Sequence, residues 1–232
     1  MASKHYEEQY TFADKYLWNY LNDNIDNFYN KKILVVGCGE GGVVQYFRDL
    51  TFDCEGLEIN GDRVVFKNNN IMIGDISDKA LTNVLLTRYD LIIMRDVIEH
   101  IENKSMAFFN ISELLNDDGY LYITFPPKNS AFAGHQQNLK SWLRYIPFVH
   151  RLPMWLLSML SKDKHGLKHM KDTYSMGQSA LLFPFWCEWF ELEPIVTDYF
   201  LSRPIFNLRY GLPTIKGNRK FCMGVECLLR KE

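Results

Sequence analysis

Apolar positions change their period several times along the 232-residue chain, and each change predicts an element. Between Tyr6 and Phe28, apolar or aromatic residues recur at Tyr10, Ala13, Leu17, Tyr20, Leu21 and Ile25, close to the spacing of one buried helical face, so a leading helix or two short ones are expected. "KKILVVG" is then a continuous apolar run, as found in strands buried on both faces of a parallel sheet. A helix from about Gly42 to Leu50 follows. The segments "DCEGLEI" (53–59), "NIMIGDI" (70–76) and "YDLIIM" (89–94) read as the next three strands, with a helix over 78–87 before the last of them. "NKSMAFFNISELLNDDG" reads as a helix ended by a turn, and "YLYITF" as a fifth strand stopped by Pro126 and Pro127. Strand alternating with helix at such intervals implies a parallel sheet with crossover helices, so residues 30–127 form an open α/β half.

The rhythm breaks at 128–185, a stretch rich in Trp, Leu, Met, His and basic residues without strand alternation. It follows the fifth strand, where the carboxyl ends of strands in an open sheet leave room for ligands. "SALLFPFWCEWFEL" reads as a last helix interrupted near Pro184, and "PIVTDYF" and "FCMGVECLLR" as closing strands. The chain is expected to be one domain: an N-terminal helical cap (1–29), a ligand-binding half (30–127), an inserted substrate cap (128–185) and a closing helix and strands (186–232).

Charge and composition narrow the function classes. A formal net charge of −2 gives no global basic field to favour nucleic acid. The start "MASKHYEEQY" lacks the apolar run of a signal peptide, and "MWLLSML" (154–160) is too short to span a bilayer, so a cytoplasmic protein is expected. The five cysteines include no CxxC pair and are expected to be free, buried thiols. His165 and His169 have the spacing of a helical metal pair, but Gly166 between them weakens the helix and no obvious third ligand accompanies them, so no metal is expected.

The candidate chemistry starts at "ILVVGCGEGG" (33–42). Gly37, Gly39 and Gly42 satisfy G-x-G-x-x-G, while Gly37, Gly39 and Gly41 satisfy G-x-G-x-G; both patterns allow a tight strand-to-helix turn and close backbone approach to a nucleotide. Glu58, about twenty residues on at the end of the second strand, suits the hydroxyls of a ribose. Downstream, "GDI" (74–76), "YDLIIMRDVIEHI" (89–101) and "LLNDDGYLYITFPP" (114–127) follow in order at regular intervals. With the glycine loop and "LEIN", this series resembles the class I S-adenosylmethionine-dependent methyltransferases, especially the small-molecule group that includes the ubiquinone-biosynthesis methyltransferases. The resemblance covers residues 30–127 and implies a Rossmann-like, doubly wound, mostly parallel seven-stranded sheet with S-adenosyl-L-methionine as cofactor. It further implies that Gly37, Gly39 and Gly41 line the methionine and ribose side of the cofactor, that Glu58 binds the ribose, and that Asp75 with the Ile76 backbone reads the adenine amino group. Arg95 and Asp96 would lie beside the methionyl part. The chain departs from the family at Val35, where an acid commonly helps hold the cofactor's amino group; that contact falls to backbone carbonyls or another carboxylate.

The acceptor is expected to be a small, aromatic or lipophilic molecule, because aromatic residues make up 15% of the chain and many fall in the leading helix and the insertion: Tyr6, Tyr10, Trp142, Tyr145, Phe148, Trp155, Trp186 and Trp189. His135, in a polar loop after the fifth strand, is the first candidate for a general base, and His100 the second. "WLRYIPFVHRLPMWLLSML" (142–160) mixes Arg144 and Arg151 with large apolar residues, which fits an internal lid and leaves transient contact with a membrane surface open. Two alternatives stand beside a methyltransferase: a nicotinamide-dependent oxidoreductase, from the G-x-G-x-x-G match, and a non-catalytic binding module of the same fold, from Val35.

Overall fold

The computed structural model describes residues 3–64, 70–132 and 138–232. The leading apolar period forms α1 (Lys4–Phe12), a wider-turned segment (Ala13–Leu17) and α2 (Trp18–Asn24), with Ser3 capping α1 by accepting from the Tyr6 amide. The alternating half consists of β1 (Ile33–Val36), α3 (Gly42–Asp49), β2 (Cys54–Glu58), β3 (Ile71–Ile73), α4 (Leu81–Val84), β4 (Tyr89–Arg95), α5 (Lys104–Leu114) and β5 (Leu115–Phe125). The insertion holds α6 (Met154–Leu160) and α7 (Lys164–Met176). The chain closes through α8 (Phe183–Trp189), β6 (Leu192–Ser202), α9 (Pro204–Tyr210), β7 (Ile215–Lys216) and β8 (Gly224–Lys231).

Among the described residues the sheet has eight strands in the order β3-β2-β1-β4-β5-β8-β6-β7, one more than the seven expected. Strands β1 to β5 pair in parallel, and β8, β6 and β7 add antiparallel partners. The extra strand, β7, is two residues long and pairs Ile215 and Lys216 with the end of β6. Its approach is set by α9, which Pro204 starts and Gly211, at φ +65, stops.

The expected turn after α5 is taken up by β5, which already starts at Leu115; local chemistry explains three further differences. The period over 78–87 yields only the four-residue α4 because Asp75 and Asp78 accept from the Ser77 and Ala80 amides, turns that compete with helix formation. The first of these turns also follows β3 directly, so that strand ends at Ile73. Pro184 lies in the first turn of α8, where a missing N–H costs nothing, and so begins that helix instead of interrupting it.

Alternation along the central strands divides the core between two faces. Ile33, Val35, Leu91, Ile93, Tyr122 and Leu228 pack beneath α1, α2 and α3. Leu34, Val36, Ile92, Met94, Leu121 and Leu229 pack on the other face with α5 and α8. Sandwiching β1 and β4 between helical layers requires the unbroken apolar runs seen in their sequences. The insertion has a small core of its own, including Leu139, Val149, Leu157 and Met170. No helix among the described residues is long and apolar enough to cross a membrane.

Candidate active site

The glycine loop connects β1 to α3 at the carboxyl edge of the sheet. Gly37, Gly39 and Gly41 adopt φ of +65°, +58° and +88°, a region costly for side-chain-bearing residues. Space is also withheld: a Cβ at Gly37 would lie 2.3 Å from Val97 Cγ2, and one at Gly39 2.7 Å from Gln9 Nε2. The loop is tied to β2 by the Gly37 and Cys38 amides, which donate to the Leu57 carbonyl at 2.7 and 3.2 Å. It is tied to α1 by Gln9, whose Nε2 donates to the Cys38 carbonyl and whose Oε1 accepts from the Gly42 amide.

Glu58 ends β2 and is buried. Its Oε2 accepts from the Gly39 amide at 2.8 Å and its Oε1 from the Asn60 amide at 3.1 Å. Each carboxylate oxygen has a second lone pair, so the group is able to brace the loop and still accept from a diol. Val35 is buried in the core beneath α3. Glu40, inside the loop, accepts from the Ser3 hydroxyl.

Beside the loop lies a cavity of about 420 Å³ whose wall includes Gly37, Asp75, Ile76, Val97, His100 and Met176. Leu57 and Ile59, on either side of Glu58, also line it. Asp75 spends Oδ1 on the Ser77 amide and hydroxyl, both at 2.8 Å, which fixes the carboxylate at the cavity edge. The fold therefore brings together the glycine loop, Asp75 and Ile76, with Glu58 at the adjoining strand end.

Arg95 and Asp96 belong to a different cluster and are not part of that wall among the described residues. The Arg95 guanidinium lies 4.3 Å from the centre of the Phe12 ring, and its Nη1 has no hydrogen-bond partner; burial pulls its pKa below the usual arginine value. Asp96, at φ +55, accepts through Oδ1 from Arg203 at 2.8 Å and Thr124 at 3.2 Å. Close by, Glu226 accepts from Tyr16 at 2.7 Å and from Tyr122. Burial pushes the Glu226 carboxyl upward while the two phenols oppose that shift. Sequence pattern gave no signal for Arg203 or Glu226, since their partners are 79 or more positions away.

Of the two candidate bases, His135 lies outside the described residues. His100 lines the cavity, and its Nδ1 is 3.2 Å from Asp172 Oδ2 on α7. The His169 ring packs edge-on against it, with centroids 5.4 Å apart. His169 therefore meets a partner from the short 3₁₀ turn (Ile98–His100) that follows β4, far in sequence from its own helix. The aromatic residues of the insertion behave otherwise than an internal lining would: Trp142, Tyr145, Phe148 and Trp155 are exposed, as is Trp189 on α8. All five cysteines are free and buried, and burial pushes the thiol of Cys38, which lies within the loop, up to about 12.

Comparison with known proteins agrees with this geometry. The family described as "Methyltransferase domain" matches residues 6–168. A ubiquinone biosynthesis O-methyltransferase of Glaesserella parasuis is 26% identical over 218 residues, covering 86% of this chain and 84% of the relative. A putative methyltransferase of invertebrate iridescent virus 6 is 25% identical over 128 residues, 52% of this chain and 45% of the relative. Among solved structures, the plantazolicin methyltransferase BamL in complex with a triazolic desmethylPZN analog and SAH superposes with a TM-score of 0.62 at 12% identity, covering 97% of this chain and 85% of that one. Magnesium protoporphyrin IX methyltransferase of Synechocystis with bound SAH gives 0.56 at 12% identity, covering 97% and 84%. The cradle in which a Cβ would collide, the buried acid at the end of β2 and the adjoining cavity suit a nucleoside bearing an amino-acid tail, and the chain belongs to the methyltransferase-domain family as a class I enzyme that uses S-adenosylmethionine.

Proposed function

We propose that the methyl acceptor is a small aromatic or lipophilic molecule that enters beside His100 and Met176. The observation that carries this reading is the cavity wall: Val36, Leu57, Val97, Ile101 and Met176 make it largely apolar, and Met176 brings the insertion to the cofactor chamber. Relatives named for ubiquinone biosynthesis and for magnesium protoporphyrin IX support a ring-bearing acceptor.

When bound, S-adenosylmethionine supplies an electrophilic sulfonium methyl, so the protein's task is mainly to align the reactants and exclude water. Glu58 accepts from the ribose hydroxyls while its two backbone bonds hold the loop in shape. Asp75 and the Ile76 backbone address the adenine edge. Gln9 clamps α1 across the loop, and α7 closes the opposite side through Met176. Incubating the purified protein and methyl-labelled cofactor with hydroxylated rings, with and without alkyl tails, tests the acceptor class. Methyl transfer to the ring compounds, strongest for the alkylated ones, is expected; transfer only to small polar amines overturns the reading.

A second reading concerns where that acceptor is met. We propose that the outer face of the insertion touches an anionic membrane surface. Trp142 and Trp155 are 65% and 67% exposed, and residues 138–176 carry seven Lys and Arg against two Asp in a chain whose net charge is −2. Exposed indoles beside basic side chains suit the headgroup layer.

A further inference from the structure

We propose that His100, His169 and Asp172 form a binding site for a divalent transition-metal ion of the zinc class, at the junction between the turn after β4 and α7. One ligand atom from each of the three lies within 4.8 Å of the others. Nitrogen and oxygen donors around tetrahedral zinc, at about 2.0–2.1 Å from the ion, lie roughly 3.3 Å from each other. The His100 Nδ1 to Asp172 Oδ2 separation of 3.2 Å already matches that spacing, and His169 needs only a modest side-chain turn to join them.

Accessibility and donor chemistry favour an ion. The His100 and Asp172 side chains are 33% and 23% exposed, so an ion has an entry path without opening the core. Two imidazoles and one carboxylate select zinc, cobalt or nickel over magnesium, which prefers oxygen donors. The backbone is prepared as well: α7 runs unbroken through Gly166, capped by Asp163, which accepts from the Gly166 amide at 2.6 Å. Asp172 lies three positions after His169 on α7, and the donor that completes the set, His100, is one that only the fold brings close. His100 also lines the cofactor cavity, so a bound ion would join the insertion to the wall of the reaction chamber.

Calorimetric titration of chelator-treated full-length protein with zinc chloride, and with magnesium chloride in parallel, tests the site. One zinc equivalent per chain with micromolar or tighter affinity and no heat from magnesium is expected, with at least tenfold weaker zinc binding in His169→Ala and in Asp172→Ala. Cobalt(II) titration supplies a second readout: visible d–d bands of a low-coordinate site in the parent chain, lost in the same variants. Binding of S-adenosylhomocysteine, measured on every variant, separates loss of the metal site from loss of the fold or of the cofactor assignment. Three results overturn the proposal: no zinc binding by the folded parent, unchanged zinc affinity in both variants, or loss in His165→Ala together with retention in His100→Ala, which places the ion on the helical pair instead.

Discussion

At the residue scale, the Glu58 carboxylate braces Gly39 and Asn60 and ends the strand beside the cavity, which is where we propose that it also meets the cofactor's ribose. Truncation to alanine would release both amides, so Glu58→Gln is the more informative change: it keeps an acceptor oxygen and removes the charge. Loss of a charged hydrogen bond is worth about 1.5–3 kcal/mol, or roughly tenfold to a hundredfold in affinity. Calorimetry with S-adenosylhomocysteine is expected to show weakening in that range; an unchanged dissociation constant removes Glu58 from the ribose site. His150 gives a prediction of another kind. Burial, and next the adjacent Arg151, push its pKa down to about 4, while its backbone contact with Lys128 acts in the opposite sense. The folded state keeps the imidazole neutral where the unfolded chain, with a pKa near 6.5, takes up a proton. Stability is therefore intact above about pH 6.5 and falls as the pH drops towards 4. His150 packs within the insertion, beside Val149, so hydrogen exchange of amides 139–176 should accelerate over this window. His150→Gln should flatten the dependence.

At the element scale, α1 is a clamp. It is fastened by Gln9 to the glycine loop, by Ser3 to Glu40, by Tyr10 to Asp49 on α3 and by Glu8 to Arg209 on α9. The close approach depends on Gly42, where a Cβ would meet the Tyr6 carbonyl oxygen at 2.4 Å and Gln9 Cβ at 2.7 Å. Because the obstructing atoms include backbone, Gly42→Ala must displace the helix. Hydrogen exchange in residues 4–12 is expected to rise, with S-adenosylhomocysteine binding weakened about tenfold as the Gln9 bonds stretch. Exchange equal to that of the parent would show that α1 seats independently of Gly42. Sequence periodicity located this helix but not its target, since a 3.6-residue period marks a buried face without saying what buries it. The expected helix over 78–87 shrank because two aspartates offered the backbone alternative partners. The Asp96 carboxylate accepts from Thr124 and Arg203, contacts invisible in the motif "RDVIEH".

At the scale of the whole molecule, charge and apolar surface are unevenly divided: the insertion is basic and carries exposed aromatic side chains, and the rest of the chain is correspondingly acidic. The protein should sediment with vesicles rich in anionic lipid at low salt and dissociate as salt rises, since screening shortens the reach of surface charge. Replacing Trp142 and Trp155 together with serine should abolish sedimentation without changing cofactor affinity. Equal binding to neutral and anionic vesicles, or none to either, would remove the membrane-contact reading.

By itself the sequence determined the elements whose rules are local. Unbroken apolar runs specified strands buried on both faces, glycines suited to positive φ specified the loop, and local spacing put Glu58 at the end of β2 and Asp75 in the turn after β3. Tertiary structure alone decided the eighth strand, the pairing of Asp96 with Arg203, the outward turn of Trp142 and Trp155, and the meeting of His100 with His169 and Asp172. The physical reason is range. Backbone conformation and burial period are encoded within a few residues, whereas a side-chain partner far along the chain is chosen by how the packed elements cross, which no single segment contains.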